Sequence, residues 1–455
     1  MHYEKFQDGT VKCIEDEIPF EVPEGWAWCK LNDIYNFIDY RGATPTKITN
    51  GIPLVTAKNV KSGYIDYTID DYISEEEFKE RQQRGISKKG DILFTTEAPL
   101  GNAALADMEK FSAGQRLITF QQYGSKDELI NYVMLMFILS DFFQQQLYVN
   151  KTGSTVAGIK AAILKTLWIP VPPYNEQLRI SNTLKSAINL IDSISKNKEI
   201  LSTSISNTKS KILDLAIRGK IVPQDPNDEP ASVLLERIRA EKEELIKQGK
   251  IKRDKKESVI FKGDDNSYYQ DLPENWIKIR LSSISEIITK GTTPRGGRIA
   301  YSQSGIGFLR AENIAGYDKL NLSNLNYIDE ESHNNYLKRS ILKENDILIT
   351  IAGTLGRTGI VPQQALPLNT NQAVAIIRLV DKNIINVKYL VYAINSPQIK
   401  DDLLDKSVDV AIPNLSLENI ADCNIPFPPF AEQKRIVTAI EEAFSKLDKI
   451  SESLA

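Results

Sequence analysis

The sequence predicts an α+β protein built by tandem duplication, with an α+β module followed by a long helix written twice. Three observations carry this. Distinct segments recur at an offset that drifts only slightly, Lys290 minus Arg41 being 249 and Glu432 minus Glu176 being 256. Each copy closes on a long amphipathic stretch with the same apolar spacing. Short β-rich runs, each led in by a polar turn, stand at matched places in both copies.

The matched segments define the modules. VPEGWAWCKL (22–31) recurs as LPENWIKIRL (272–281), and RGATP (41–45) as KGTTP (290–294). GIPLVTAKNV (51–60) recurs as GIGFLRAENI (305–314), and GDILFTTEAPLG (90–101) as NDILITIAGTLG (345–356). DILFTTE and DILITIA are predicted strands, as are QRLITFQQ (115–122) and QAVAIIRLV (372–380). Apolar residues at helical spacing predict helices over 128–148 and 387–404. Gly101, Gly353, Gly356 and Gly359 mark close backbone approaches.

The long helices come next. Residues 169–219 open IPVPPYNEQ and 425–455 open IPFPPFAEQ, with Pro170/Pro426, Gln177/Gln433, Arg179/Arg435 and Ile180/Ile436 in step. In the first, Ile180, Leu184, Ala187, Ile191, Ile194, Leu201, Ile205, Ile212 and Leu215 form a seam of period 3.5, with Lys198 and Thr208 on the same stripe. In the second, Ile436, Ile440, Ala443, Leu447, Ile450 and Leu454 repeat it. So narrow a seam wants one partner helix. The two are expected to pair with each other as an antiparallel coiled coil, relating the modules by an approximate two-fold axis.

The expected domains are therefore 1–168, a first module; 169–219, the proximal helix; 220–270, a linker; 271–424, a second module; and 425–455, the distal helix. The linker opens on a turn-rich break, IVPQDPNDEP, continues as an amphipathic helix with Ser232 as its expected cap, and ends in a basic run. Residues 237–262 hold ten basic side chains against five acidic ones, which suits either a solvated linker or a phosphate contact.

Composition limits the function classes. A net charge of −4 decides nothing, because a local basic groove can coexist with an acidic total. Cys13, Cys29 and Cys423 are odd in number and far apart, without metal-ligand spacing, which suits a reducing compartment. No apolar run approaches about 18 residues and no signal peptide is present, so a cytoplasmic protein with no membrane partner is expected. The only histidines are His2, at a terminus expected to fray, and His333, in a run expected to be a solvated loop. Histidine acid–base chemistry and zinc sites are thereby set aside, and no metal is expected.

Catalytic motifs are equally thin. VPPY (171–174) resembles the Pro-Pro-Tyr motif of amino-methyltransferases, but Val171 cannot accept from a target amino group, and the second copy is FPPF. GTLGRTG (353–359) lacks the Gly-Lys-Ser/Thr ending of a phosphate loop. No catalytic residue is assigned.

Polar, basic and glycine-bearing loops at matched positions remain. The candidate DNA-binding residues are Arg41, Thr44, Lys47, Lys58, Thr95, Thr96, Lys151, Ser154 and Lys160 in the first module. In the second they are Lys290, Thr293, Arg295, Arg298, Arg310, Asn313, Thr350, Arg357, Asn371 and Gln372. Arginine, lysine, asparagine and glutamine pair with base edges, while threonine and serine hold phosphates.

The PEGW/PENW starts, the KGTTP and GDIL motifs, the twice-occurring IPxPPxxEQ and the central DLAIRGKIVPQDPNDEPASVLLERIRAEKEELIKQGKIKR resemble the specificity subunit of type I restriction–modification systems, across essentially the whole chain. The resemblance implies two target-recognition domains held apart by an antiparallel helix pair, each reading half of a bipartite double-stranded DNA sequence. It also implies docking of two modification subunits, which carry S-adenosylmethionine and the catalytic residues, and of restriction subunits. This chain would then bind no cofactor and catalyse nothing. The alternatives are a single-chain DNA methyltransferase with an unrecognised site and a pure assembly scaffold. A seam from Ile180 to Leu215 spans about 54 Å, more than one turn of B-DNA. One departure from the family stands out. From Glu432 the distal helix has 24 residues left, against 44 for 176–219. The subunit is then either naturally short or truncated. A truncated one would leave part of the proximal helix without its partner, with 201–219 the expected place, and would weaken docking of the second modification subunit.

Overall fold

An antiparallel four-stranded sheet forms the centre of each of two units, Met1–Ser195 and Lys196–Ala455. The computed structural model describes residues 2–40, 44–68, 70–124, 129–152, 157–253, 272–296, 301–405 and 414–454. In the first unit the strands run in the order Tyr35–Asp39, Leu117–Gln122, Ile92–Thr95, Ala103–Leu105. In the second the order is Ser285–Lys290, Val374–Leu379, Ile347–Thr350, Thr358–Ile360. Register repeats with order: Thr95 faces Leu117, and Thr350 faces Val374.

A three-stranded sheet accompanies each. Ile52–Val55 lies antiparallel to Tyr72–Ile73 and parallel to Ser112–Ala113. Ile306–Leu309 lies antiparallel to Asn326–Ile328 and parallel to Leu368–Thr370. The unbroken apolar runs ILF and ILI follow from this layering, because alternate side chains point to opposite faces. Ile92 and Phe94 join one core cluster while Leu93 joins another; Ile347 and Ile349 likewise part from Leu348. Each such buried side chain stabilises its unit by about 1.5–3 kcal/mol.

The turn before these strands explains the repeated GD and ND. Gly90 and Asn345 take positive φ, at 91° and 66°, which glycine and asparagine tolerate best. Asp91 and Asp346 then accept from the backbone N–H of Lys88 and Lys343, both at 2.7 Å.

Each helix expected over 128–148 and 387–404 is two helices. Asn131–Ile138 is followed by Asp141–Val149, whose first turn is capped by Ser140. Val387–Ile394 is followed by Pro397–Asp405. Pro397 has no N–H with which to continue the earlier helix, so it starts a new one.

The IPxPP segments are strands before they are helices. Trp168–Val171 pairs with Ala27–Lys30, and Asn424–Phe427 with Ile277–Arg280, which ties each IPxPP to its PEGW or PENW start. The proximal helix then runs Tyr174–Ile217 and the distal helix Phe430–Glu452. The matched glutamines lock this junction. Gln177, nearly fully buried, accepts from Ile130 N at 2.7 Å and donates to Pro172 O at 2.9 Å. Gln433 accepts from Asn386 N and donates to Pro428 O, both at 2.9 Å.

In the second unit the helices pair antiparallel. Lys209 bonds Asp448, while Gln224, further along the chain, reaches Glu432, nearer the start of the distal helix. The contact departs from the expected seam. Leu213, Ala216 and Ile217 are buried with Ile436, Val437, Ile440 and Phe444, while Ile212, Leu215 and Leu447 are half-buried and Ile450 is exposed. A helix of 3.6 residues per turn drifts about 20° per heptad from a 3.5 repeat. A globular core also takes a wider apolar face than a seam does.

The uncovered part of the proximal helix lies mostly before 201–219 and reaches only its first residues. Ile205 is buried, Leu213, Ala216 and Ile217 share one core with the distal helix, and every residue from Lys185 to Ser204 is exposed, Ile191 at 60% and Ile194 at 58%. Antiparallel pairing sets the start of the distal helix against the end of the proximal one, so the middle is left bare.

The linker helix, Ala231–Lys247, packs Ala231, Leu234, Leu235 and Ile238 into the core of the second unit. Its N-cap is Pro230, with no side-chain cap, so Ser232 does not play that part. The basic stretch beyond Arg253 lies outside the described residues.

Candidate nucleic-acid interface

Four loops converge at the same place in each unit. The loop leaving the first sheet strand meets the loop leading into the second. Thr44 Oγ1 donates to Gln115 Oε1 at 2.9 Å, and Thr293 Oγ1 donates to Gln372 Oε1. In the second unit the approach is so close that a Cβ on Gly291 would stand 2.1 Å from Asn371 O, so only glycine fits. A third loop joins through Thr96 N to Arg116 O (3.1 Å) and Ile351 N to Ala373 O (2.8 Å). A fourth joins through Ile159 N to Thr96 O (3.0 Å) and Leu415 N to Ile351 O (3.1 Å).

The exposed side chains on these loops are mixed donors and acceptors. In the first unit Thr44, Lys151 and Lys160 are exposed, Lys151 lying over the Tyr148 ring. Arg116, also exposed, pairs with Glu97 at 3.1 Å. In the second unit Lys290, Arg295, Arg357 and Gln372 are exposed, Thr293 and Asn371 partly so, and Arg295 stacks over the Tyr336 ring. Arg339 donates to Thr292 Oγ1 at 2.8 Å. Exposed amides and guanidiniums of this kind can read base edges or hold phosphates.

Several sequence candidates have internal duties instead. Thr95 and Thr96 are buried and donate to Asn102 O and Arg116 O. Thr350, fully buried, accepts from Arg357 N at 2.9 Å and donates to Thr354 O. Asn313 is buried too, accepting from Arg310 N and donating to Asn321 O and Asn324 O. Asn59 makes the matching bonds to Thr56 N and Asp66 O in the first unit. These side chains hold loops in shape, because a buried polar group must find its partner inside the protein.

Lys47 pairs with Asp71 at 2.6 Å, and half-buried Arg310 pairs with Glu312. Lys58 is exposed on its loop. Arg41, Ser154 and Arg298 lie outside the described residues. His333 is not solvated: it sits buried in the helix Glu330–Asn334, against Asn369 Oδ1. His2 is held rather than frayed, with Nδ1 3.0 Å from Glu15 Oε2.

Gln115, Arg116 and Arg339 were missed by the sequence reading. Gln115 could have been found by carrying Gln372 back through the repeat. Arg339 lies in LKRS and is matched by Arg84 in the first copy, 255 residues earlier, the same offset that separates Asp91 from Asp346.

Among the described residues no cluster of three His, Cys, Asp or Glu could hold a metal ion. No described helix is long and apolar enough to cross a membrane.

Two copies of one loop-bearing α+β module, with a continuous helix running from the first into the second, define a tandem recognition-module protein. The family model for the type I restriction modification DNA specificity domain matches residues 23–202 and again 273–454, and the chain belongs to that family. It is 26% identical over 508 residues to the EcoAI type I restriction enzyme specificity subunit of Escherichia coli, covering 98% of this chain and 82% of that one. It is also 26% identical to the EcoEI specificity subunit of the same species, covering 99% and 83%. Two solved structures share the fold. A chain from work on the "structural basis underlying complex assembly and conformational transition of the type I R-M system" aligns with TM-score 0.60 at 15% identity, covering 96% of this chain and 94% of that one. The HsdS subunit from Thermoanaerobacter tengcongensis aligns with TM-score 0.50 at 16% identity, covering 96% and 93%.

Proposed function

We propose that the chain is the sequence-reading subunit of a type I restriction–modification complex, each unit reading one half of a bipartite double-stranded DNA target. The observation that carries this is the Thr–Gln contact made twice, Thr44 to Gln115 and Thr293 to Gln372, where four loops meet in each unit. Gln115, Arg116, Lys151 and Lys160 contact DNA in the first unit; Arg295, Arg339, Arg357 and Gln372 do so in the second. The names of the relatives, all specificity subunits, support the same reading.

Modification subunits dock on the proximal helix. Its bare stretch, with Ile188, Leu190, Ile191, Ile194, Ile200 and Leu201 exposed, supports this, since a contiguous apolar stripe on a soluble protein marks an interaction surface. S-adenosylmethionine and the catalytic residues belong to those subunits, and cleavage to restriction subunits that join them.

The test is incubation of the purified chain, alone and with a modification partner, with labelled S-adenosylmethionine and DNA. Methyl transfer is expected only with the partner. Transfer by the chain alone would make it an enzyme and overturn the reading.

A further inference from the structure

In both units the loop that leaves the first sheet strand is braced by a ring and a guanidinium, with the two roles exchanged. Tyr336 matches Arg81 at the 255-residue offset that also separates Asp346 from Asp91, and each stands at or just past the end of a short helix capped from a matched position, Asp329 and Ser74. In the first unit the guanidinium of Arg81 lies 4.8 Å over the ring of Tyr40, where the loop begins. In the second unit Tyr336 supplies the ring, and Arg295, on the loop itself, lies 4.7 Å over it. Arg339, three residues beyond Tyr336, ties the same loop through Thr292 Oγ1 at 2.8 Å.

The exchange changes what the guanidinium can do. Arg81 is buried and donates to Ser112 Oγ at 3.0 Å and Ala113 O at 2.6 Å, so its donors serve the fold. Arg295 is exposed, on a ring that is itself 46% exposed, and has no hydrogen-bond or ion-pair partner among the described residues. Its neighbours differ. Arg310 pairs with Glu312, Arg339 bonds Thr292, and Arg357 is exposed with no ring beneath it among the described residues. Arg295 alone of these four combines a fixed plane with an open donor edge. A guanidinium whose plane is held by stacking loses little freedom when it binds. A phosphate accepts a cation from many directions, so a fixed plane gains little there. The major-groove edge of guanine, with O6 and N7 side by side, takes two coplanar bonds from one guanidinium and rewards it.

We propose that Arg295 reads a guanine in the half-site of the second unit, donating to O6 and N7 from the major groove, and that Tyr336 is the positioning residue that holds the guanidinium in plane. Tyr336 touches no base. In the first unit the braced arginine, Arg81, reads nothing, because its donors are already bonded inside. This role presupposes that the second unit reads DNA.

The test starts from the methylated sequence of the complex of the full chain with its modification subunits, and measures binding of that complex to duplexes in which each base pair of the second half-site is replaced in turn. Replacing one G·C pair weakens wild-type binding about tenfold to a hundredfold. Replacing only its guanine by 7-deazaguanine, which lacks N7, weakens it about threefold or more. Arg295→Ala removes both differences and leaves the preferences at the other positions as they were. Tyr336→Leu relaxes the same pair, whereas Tyr336→Phe, which keeps the ring, does not. An Arg295→Ala complex that binds every duplex equally less well makes the residue a phosphate contact and overturns the proposal, as does relaxation at an A·T pair. Tyr336→Leu that spares the G·C pair overturns the positioning role. A wild-type complex with no preferred sequence would overturn the DNA reading as well; a defined wild-type sequence that Arg295→Ala leaves intact overturns the role of Arg295 alone.

Discussion

Replacing Gln433 by leucine tests the junction on which each module hangs. The side chain is fully buried, and its amide satisfies two main-chain groups at once, Asn386 N and Pro428 O, each at 2.9 Å. Leucine has nearly the same volume and makes neither bond. Two main-chain groups are then buried without partners, at about 1–3 kcal/mol each, so the substitution costs on the order of 2–5 kcal/mol. For a unit of this size each kcal/mol lowers the midpoint by about 2–4 °C, a fall on the order of 10 °C in all. Differential scanning calorimetry of the full chain reads it. The transition of the second unit falls while that of the first stays in place. Gln177→Leu, which removes the matching bonds to Ile130 N and Pro172 O, does the reverse. A fall under about 2 °C, or equal movement of both transitions, would refute the reasoning.

Three further outcomes follow from the same geometry. Arg357→Ala removes one exposed cation from a second-unit loop; it weakens DNA binding and lowers the salt slope by about 1 if the contact is a phosphate, or relaxes discrimination at one base by about 1–3 kcal/mol if it is a reader. Thr350→Val leaves Arg357 N without its acceptor at a fully buried site and costs about 1–3 kcal/mol in thermal unfolding; unchanged stability with lost DNA affinity would make Thr350 a phosphate contact after all. Burial pushes the Glu432 carboxyl above its ordinary value, against the pull of hydrogen bonds from Trp276 and Gln224. The folded state therefore holds that proton more tightly than the unfolded one, and its contribution is full at acid pH and lost as pH rises through the folded value. Unfolding of the wild type and of Glu432→Gln from pH 4 to 8 checks this: the wild type gains on the variant as pH falls, and a parallel pair of curves would contradict it.

The duplication was legible because insertions between the copies are small, so matched motifs stay in step over 250 residues. The strands were legible because ILF and ILI are buried on both faces and tolerate no polar interruption. The break in each terminal helix was also written in the chain, at Ser140 and Pro397, but helical spacing of the apolar residues outweighed it. What the seam could not show is what covers it. Period identifies an apolar stripe, and Ile191 and Ile194 stand on it as regularly as Ile205, yet only Ile205 is buried. The candidate site divides the same way. Thr95 and Thr350 have the chemistry of phosphate ligands, and only packing reveals that their hydroxyls already have internal partners. Arg295 and Gln372 were singled out because their loops are polar and matched, and both side chains are exposed. Arg339 was not, although Arg84 matches it in the first copy, because only the fold brings it to the loops through Thr292.

The central claim is that each unit reads its own half of a DNA target. Exchanging residues 22–168 for the corresponding module of a related subunit, then sequencing the methylated sites of a cell that carries the hybrid with its modification partner, tests it most directly. The account predicts that one half of the methylated sequence changes and the other stays as it was. An unchanged sequence in cells that still methylate would contradict it.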